Sequence, residues 1–558
     1  ATVGVENSLT TTDALVRFAD SVVSGAADTA KVTLTSNGVA TVAGAQQINL
    51  RGTTAGGFET IEITAVGANR IAEILSDASV GLNVAATGTN SVRTIKVSGD
   101  GSLRVDTALT STTTFDASAN KGGVNVQLNN AGNVTATGGE GNDTFNLAAT
   151  LTNTDKVDGG AGRNTLATTN AITVGHQLSN IQILRNDGAA GGTVFDNDTL
   201  TSVDTIVHNS ANTATYQDMV GANAADSAKG LTLQGVGVAT FNIKGATGLG
   251  GNSDALYVNV GSATGTTGVN VANGAAGSVT TAGTEKVTFN VAANNTAANI
   301  ATGVTLTGDA ATNSVVIQGG ATGVAFVHTL AGATGAALTS IDGSSFAGNL
   351  TVAGNAFAQV IKGGSGNDII STGGHAAFAD TVSSDVLTGG AGNDTFVFAT
   401  ADTAYTVANL TMLAASTNDG YSELTTITDL NLGGAVAGTA VDLISFAAVG
   451  GANTAATLGD DTNTTWTVVN GGAATALTGA NFGAAVNALF LTGGVLDSAT
   501  ATEVRVGLFT WGGETFLVAG EGTTANDGFA GGVAGSDIVI RVTGVTGTLD
   551  AGDFAAFV

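Results

Sequence analysis

Three segments constrain this chain of 558 residues more than anything else in it. They are Gly138-Gly139-Glu140-Gly141-Asn142-Asp143-Thr144-Phe145, Gly363-Gly364-Ser365-Gly366-Asn367-Asp368-Ile369-Ile370 and Gly389-Gly390-Ala391-Gly392-Asn393-Asp394-Thr395-Phe396. All three fit G-G-x-G-x-D-x-U-x, where U is a large apolar residue. Each joins a tight glycine turn to an aspartate and then to a side chain that has to be buried two places on. A single such unit cannot bury that side chain alone, so the pattern calls for coils that stack.

The same turn has a chemistry. Glycines let the backbone aim carbonyl oxygens inward and the aspartate adds a carboxylate, which gives the all-oxygen shell that calcium prefers. One turn supplies only part of the six to eight ligands, so stacking and binding are one event. The candidate ligands are Gly138, Glu140, Asn142 and Asp143 in the first copy, and Gly363, Ser365, Asn367 and Asp368 in the second. In the third they are Gly389, Ala391, Asn393 and Asp394. The second and third copies begin 26 residues apart, near three nonapeptide lengths. Between them Ser384-Asp385-Val386-Leu387-Thr388 keeps the D-x-U-x half, which adds Asp385 to the set. Asp380 could serve a further turn, with Gly373-Gly374-His375 read as an insertion. The first copy is followed by Gly159-Gly160-Ala161-Gly162-Arg163-Asn164-Thr165-Leu166, where Asn164 stands in the Asp position and can keep the turn while binding calcium weakly or not at all. Asp155 and Asp158 beside it are additional candidates. Ca2+ is the one cofactor expected.

Elsewhere, short alternating runs such as Lys31-Val32-Thr33-Leu34 and Lys286-Val287-Thr288-Phe289-Asn290-Val291, bounded by Gly, Asn, Asp and Thr, read as strands. A loose unit recurs at Phe58-Glu59-Thr60-Ile61, Asn180-Ile181-Gln182-Ile183, Asp204-Thr205-Ile206-Val207 and Glu285-Lys286-Val287. This points to a β-solenoid or stacked β-layers; a set of independent β-sandwiches with similar strands is the alternative. Helix is expected only at Asp13–Val22 and Ala480–Leu491, each with a core-packing face. The expected fold is all-β: solenoid-like lattice domains at 1–137 and 167–361, a first short turn region at 138–166, a parallel β-roll at 362–398 and a β-rich C-terminal domain at 399–558.

Composition closes several routes. There is no cysteine, so no disulfide, thiolate site or Cys nucleophile exists. There is no proline where average usage would give roughly 28, so no X-Pro isomerisation slows folding. Seventeen basic against 44 acidic side chains leave a net charge of −27, which repels nucleic acid and anionic membranes. No run approaches the roughly 20 apolar residues of a membrane span. The chain opens on Ala1 without an initiator methionine, which points to processing or truncation. The four histidines, His176, His208, His328 and His375, are none of them followed by Glu, so H-E-x-x-H is missing, and no G-x-S-x-G occurs. Catalysis is not expected. Trp466 and Trp511 read as core anchors of the C-terminal domain.

With these nonapeptides the chain resembles RTX proteins, which leave Gram-negative bacteria by type I secretion with an uncleaved C-terminal signal. Ile427-Thr428-Asp429-Leu430 and Asp442-Leu443-Ile444-Ser445-Phe446 look like the segment that closes the roll in that family, and Asp553-Phe554-Ala555-Ala556-Phe557-Val558 looks like its acidic-then-apolar ending. The Ala/Thr/Gly-rich body, with Phe58-Glu59-Thr60-Ile61, Thr114-Phe115-Asp116-Ala117 and the run Leu508–Val518, is similar to RTX-type S-layer proteins such as the surface-layer protein of Caulobacter. That resemblance implies a secreted cell-surface protein with homotypic contacts in a calcium-dependent lattice. It also implies anchoring to lipopolysaccharide through an N-terminal domain that no segment here presents. The alternative is an RTX adhesin or filament-forming protein, which usually shows near-identical tandem domains of about 100 residues, and none is visible.

Overall fold

A computed structural model describes residues 2–6, 14–36, 47–76, 90–188, 190–196, 198, 200, 202–219, 230–233, 238–243, 255–260, 277–282, 285–293, 304–307, 312–330, 338–355, 357–373, 385–398, 421, 424–433, 442–446, 465–497, 503–521, 531–532, 535–536 and 538–554. The chain divides into two units, Ala1–Gly248 and Leu249–Val558.

In the first unit, after a small parallel sheet of Ala14–Phe18, Gln47–Gly52 and Glu73–Leu75, successive strands alternate between two walls, so the chain winds as a coil. One wall is an eight-stranded parallel sheet running from Thr2–Glu6 through Thr60–Val66, Thr94–Gly99, Thr114–Asn120, Thr135–Thr137 and Lys156–Asp158 to Gln177–Ser179. The other carries Val124–Gln127, Thr144–Ala148, Thr165–Thr168, Ile183–Asn186 and Thr205–His208, again all parallel. Period-two alternation turns one side of every strand inward. Register then stacks like on like: Ile61, Ile95, Phe115, Ala136, Val157 and Leu178 form one column. Val126, Phe145, Leu166, Leu184, Ile206 and Leu231 form the facing one, none more than 2% exposed.

The second unit repeats the plan. Leu256, Val287, Val315, Ile341, Ile361, Leu387 and Ile427 stand in register along one wall, all fully buried. Val352, Ile370, Phe396 and Ile444 line part of the other. The parallel ladder thus continues through both flanks of 362–398, and the solenoid reading holds over that of separate sandwiches. The ladder ends against an antiparallel sheet: Glu503–Trp511 and Glu514–Glu521 form a hairpin about Gly512-Gly513, both at positive φ as a tight two-residue turn demands. Its neighbour Ile538–Val542 pairs parallel with Thr426–Ile427.

The two helix expectations fare differently. Ala14–Phe18 is a strand, with Leu15 and Val16 in register with Asn49 and Leu50, and Asp20–Val22 is a single 3-10 turn. A parallel partner strand outweighs a weak helical periodicity in so short a run. Phe482–Asn487 is helical, capped by Asn481, whose side chain accepts from the Ala484 amide, and it is the one α-helix among the described residues. Its Phe482 and Val486 join Leu424, Phe509, Phe516 and Val539 in a core against which Trp511 packs; Trp466 lies in the strand Thr465–Val468.

Candidate calcium-binding turns

The walls of each unit are joined by two rows of turns; in the second unit the turns at Asp368 and Asp394 share one row, leading into the paired strands Ile369–Ser371 and Thr395–Phe398, and in the first unit the turn at Asp143 leads into Thr144–Ala148. Asp143, Asp368 and Asp394 each stand at the last position of a turn, and the residue two places on, Phe145, Ile370 or Phe396, is fully buried in the wall. Burial of that apolar residue drags each aspartate to about 1% exposure.

The carboxylates then knit neighbouring coils together. Asp143 accepts the Val124 amide of the preceding coil at 2.7 Å and the Gly139 amide of its own turn at 2.8 Å. Asp368 does the same with Leu350 at 2.7 Å and Gly364 at 2.5 Å. Asp394 accepts the Asp368 amide at 2.8 Å, and Asp442 accepts that of Asp394 at 3.0 Å, so Asp368, Asp394 and Asp442 form one column. Asp429 closes the same end: its two oxygens accept the amides of Gly389 and Gly390 at 2.9 and 2.8 Å. Asp442 and Asp429, legible in sequence only as a closing segment, are brought to the third turn by two pairings, Thr395–Phe398 with Leu443–Phe446 for Asp442 and Val386–Thr388 with Thr426–Ile427 for Asp429.

The glycines explain what these turns can hold. A methyl group on Gly138 would strike both Oδ2 of Asp143 and the carbonyl oxygen of Gly159, one coil further on. At Gly363 it would strike Oδ2 of Asp368 and the carbonyl oxygen of Gly389. Carboxylate and carbonyl oxygens therefore converge from successive coils on one small space, an arrangement that repels itself until a cation enters. Burial pushes the Asp143 carboxyl up, Asp368 up to about 6, and Asp394 up to about 7 with added repulsion from Asp368, Asp442 and Asp429. Among the described residues no group of three or more His, Cys, Asp or Glu side chains is arranged to hold a metal, so backbone carbonyls have to complete the shell. The oxygen-only donor set fits calcium.

The other candidates divide by position. Glu140, Ser365 and Ala391 sit at the exposed crest of their turns, their amides bonded to the preceding coil at Asn120, Phe346 and Gly364. With those amides engaged, each has only oxygen atoms to offer a cation. Asn367 and Asn393 form a second ladder: Oδ1 of Asn349 accepts from Asn367, and Oδ1 of Asn367 from Asn393, both at 3.0 Å. Oδ1 of Asn142 likewise accepts the Arg163 amide at 2.8 Å. Asp385 lies in the opposite row of turns, away from Asp368 and Asp394, where it accepts the Gln359 amide at 2.8 Å. Asp155 has the same role in the first unit, accepting Val134 at 2.6 Å and Thr152 at 2.7 Å. Asp158 is turned toward Gly160 and Asn180. Gly374, His375 and Asp380 lie outside the described residues.

The family of the RTX calcium-binding nonapeptide repeat, in four copies, matches residues 130–149, 351–376 and 381–399. The chain carries RTX repeats. RTX nonapeptide repeats bind calcium, and the matched spans contain Asp143, Asp368, Asp385 and Asp394. No curated protein matches the chain as a whole. The matched spans open earlier than the three full motifs, and the structure shows why. One nonapeptide before Asp143, Asp368 and Asp394 stand Val134, Gln359 and Asp385, each at the matching point of the opposite row. At Val134 and Gln359 the spacing marks these degenerate units, and at Asp385 the D-x-U-x half does so too.

The raised carboxyl pKa values give a pH dependence. In the calcium-free chain, folded Asp368 and Asp394 hold protons that the unfolded chain releases near the ordinary value of about 3.9. Metal-free stability is therefore highest below that value and falls as pH rises through about 6 and 7. Calcium must displace those protons, so its affinity rises over the same window. Titration at pH 5.5 is expected to give binding more than about tenfold weaker than at pH 8; equal affinity at both would contradict the burial of these carboxylates.

Proposed function

We propose that this chain is an exported structural protein of a Gram-negative cell surface that assembles into a calcium-dependent two-dimensional lattice, an S-layer. The observation that carries the reading is that the calcium-type turns are part of the same parallel ladder as the body, so the cation would act on the scaffold itself. In an RTX enzyme the repeats would accompany a separate catalytic site. Two hollows among the described residues lie on one outer wall. One, of about 310 Å³, is lined by Lys31, Glu62, Lys96 and Asp116, and one of about 460 Å³ by Thr137, Lys156, Asp158 and His176. His208 is buried against Tyr216, its Nδ1 2.8 Å from the hydroxyl, and His328 is buried beside Phe289 and Phe326.

The charged outer face of the eight-stranded wall also suits contact between copies. Its outer face bears the in-register row Lys31, Glu62, Lys96 and Asp116, with Lys31 3.2 Å from Glu62. Pairs this exposed add little to stability, which leaves them free to select a partner. Residues 362–398 would be the principal calcium segment and 138–166 a lesser one. Segments 1–137 and 167–361 would supply lattice faces, and 399–558 would close the ladder and carry the type I secretion signal. No described helix is long and apolar enough to cross a membrane, and anchoring to lipopolysaccharide is assigned to no residue.

Electron microscopy of the purified chain with calcium and with excess chelator tests the proposal. Ordered sheets that form only with calcium are the expected result. Folded chains that stay monomeric in calcium would end the lattice reading in favour of the adhesin alternative.

A further inference from the structure

The turn at Asn164 carries an amide where the Asp143 turn carries a carboxylate, and its Nδ2 sits where the carboxylate turn needs a cation. A methyl group on Gly159 would strike the carbonyl oxygen of Asn180, one coil on, and Nδ2 of Asn164. This is the geometry of Gly138 with Asp143, except that the side-chain atom is an N–H donor. Asn164 Nδ2 donates to the carbonyls of Ala161 and Asn180, both at 3.0 Å, while Oδ1 accepts the Asp143 amide at 2.9 Å. The oxygens that would repel a carboxylate are satisfied by the two hydrogens of the amide.

The same device recurs in the first unit. Asn120, fully buried, donates through Nδ2 to Gly99 and Gly101 of the preceding coil at 3.1 and 2.8 Å, and accepts the Gly123 amide at 2.9 Å. Asn69 donates to Val66 and Gly67 of its own turn and to Ser102 of the next coil. Asn170, in the opposite row, donates to Ala149 and Leu151 of the preceding coil, both at 2.9 Å.

We infer that side-chain amides replace the cation in these turns of the first unit, so that its coils close without calcium while the Asp368–Asp394–Asp442 column of the second unit requires it. Calcium is then a switch on one stretch of the solenoid. The first unit is a standing scaffold whose full nonapeptide turn, at Asp143, is held between the amide-latched turns of Asn120 and Asn164. This rests on the calcium reading of the RTX turns and adds where that reading stops.

Segment-resolved hydrogen exchange on the full chain, with calcium and then with chelator, tests it, together with calcium titration of the Asn164→Asp variant. Chelation is expected to speed exchange in 360–371 and 386–398 by more than about 100-fold and in 114–127 and 165–168 by less than about threefold. Asn164→Asp is expected to bind one additional calcium and to make exchange in 165–168 calcium-dependent. Comparable losses in both units, or an Asn164→Asp chain that binds no additional calcium, would overturn the inference while leaving calcium binding intact. A wild-type chain that binds no calcium would overturn the calcium reading and this inference with it.

Discussion

Stripping calcium is expected to lower the thermal midpoint of the second unit by roughly 6–12 °C. Two stacked intervals, Asp368 with Asp394 and Asp394 with Asp442, would each hold a cation between coils. At free calcium about ten times the dissociation constant, each adds about 1.4 kcal/mol, or about 3 kcal/mol together. For domains of this size about 1 kcal/mol moves the midpoint by roughly 2–4 °C. Calorimetry over a calcium series should show a midpoint that climbs with concentration and returns after chelation and readdition. A midpoint independent of calcium would show that the convergent oxygens of these turns do not bind it.

Replacing Phe396 by alanine should produce the second large effect, a loss of about 3–5 kcal/mol even with calcium saturating. Phe396 is fully buried between Ile370 and Ile444 in the wall, and its chain neighbours lead directly into the Asp394 turn. The deletion therefore leaves a cavity directly beneath a metal turn, and calcium affinity should fall along with stability. Val360→Ala is the control. Val360 is 38% exposed on the outer side of its strand, and its replacement should change stability by less than about 0.5 kcal/mol. Urea unfolding of the two variants gives the comparison; a Phe396→Ala chain as stable as Val360→Ala would mean that the inward column is not the core.

Much of this was legible because glycine, aspartate and alternation are local signals. The motif located Asp143, Asp368 and Asp394, and strand periodicity located runs such as Thr29–Thr35 and Lys286–Val291. The irregular spacing that left separate sandwiches open has a simple cause. Coil length varies in the turns while strand register does not: Asp368 and Asp394 are 26 residues apart, and Leu350 and Asp368 only 18, yet each pair is one coil step. The segment Ala14–Phe18 was misread as helix because its partner, Gln47–Gly52, lies far along the chain.

The sequence by itself determined the all-β class, the coil-forming turns, the oxygen chemistry that selects calcium, and the absence of thiol chemistry. Tertiary structure alone decided which turns share a row. It placed Asp385 opposite the main column and Asp155 opposite Asp143, brought Asp429 and Asp442 onto the third turn, and set the amide of Asn164 against the carbonyls that a cation would otherwise bridge. The reason is physical: a residue's chemistry is carried in its own side chain, but a binding site is an agreement between successive coils, and only parallel register fixes which oxygens meet.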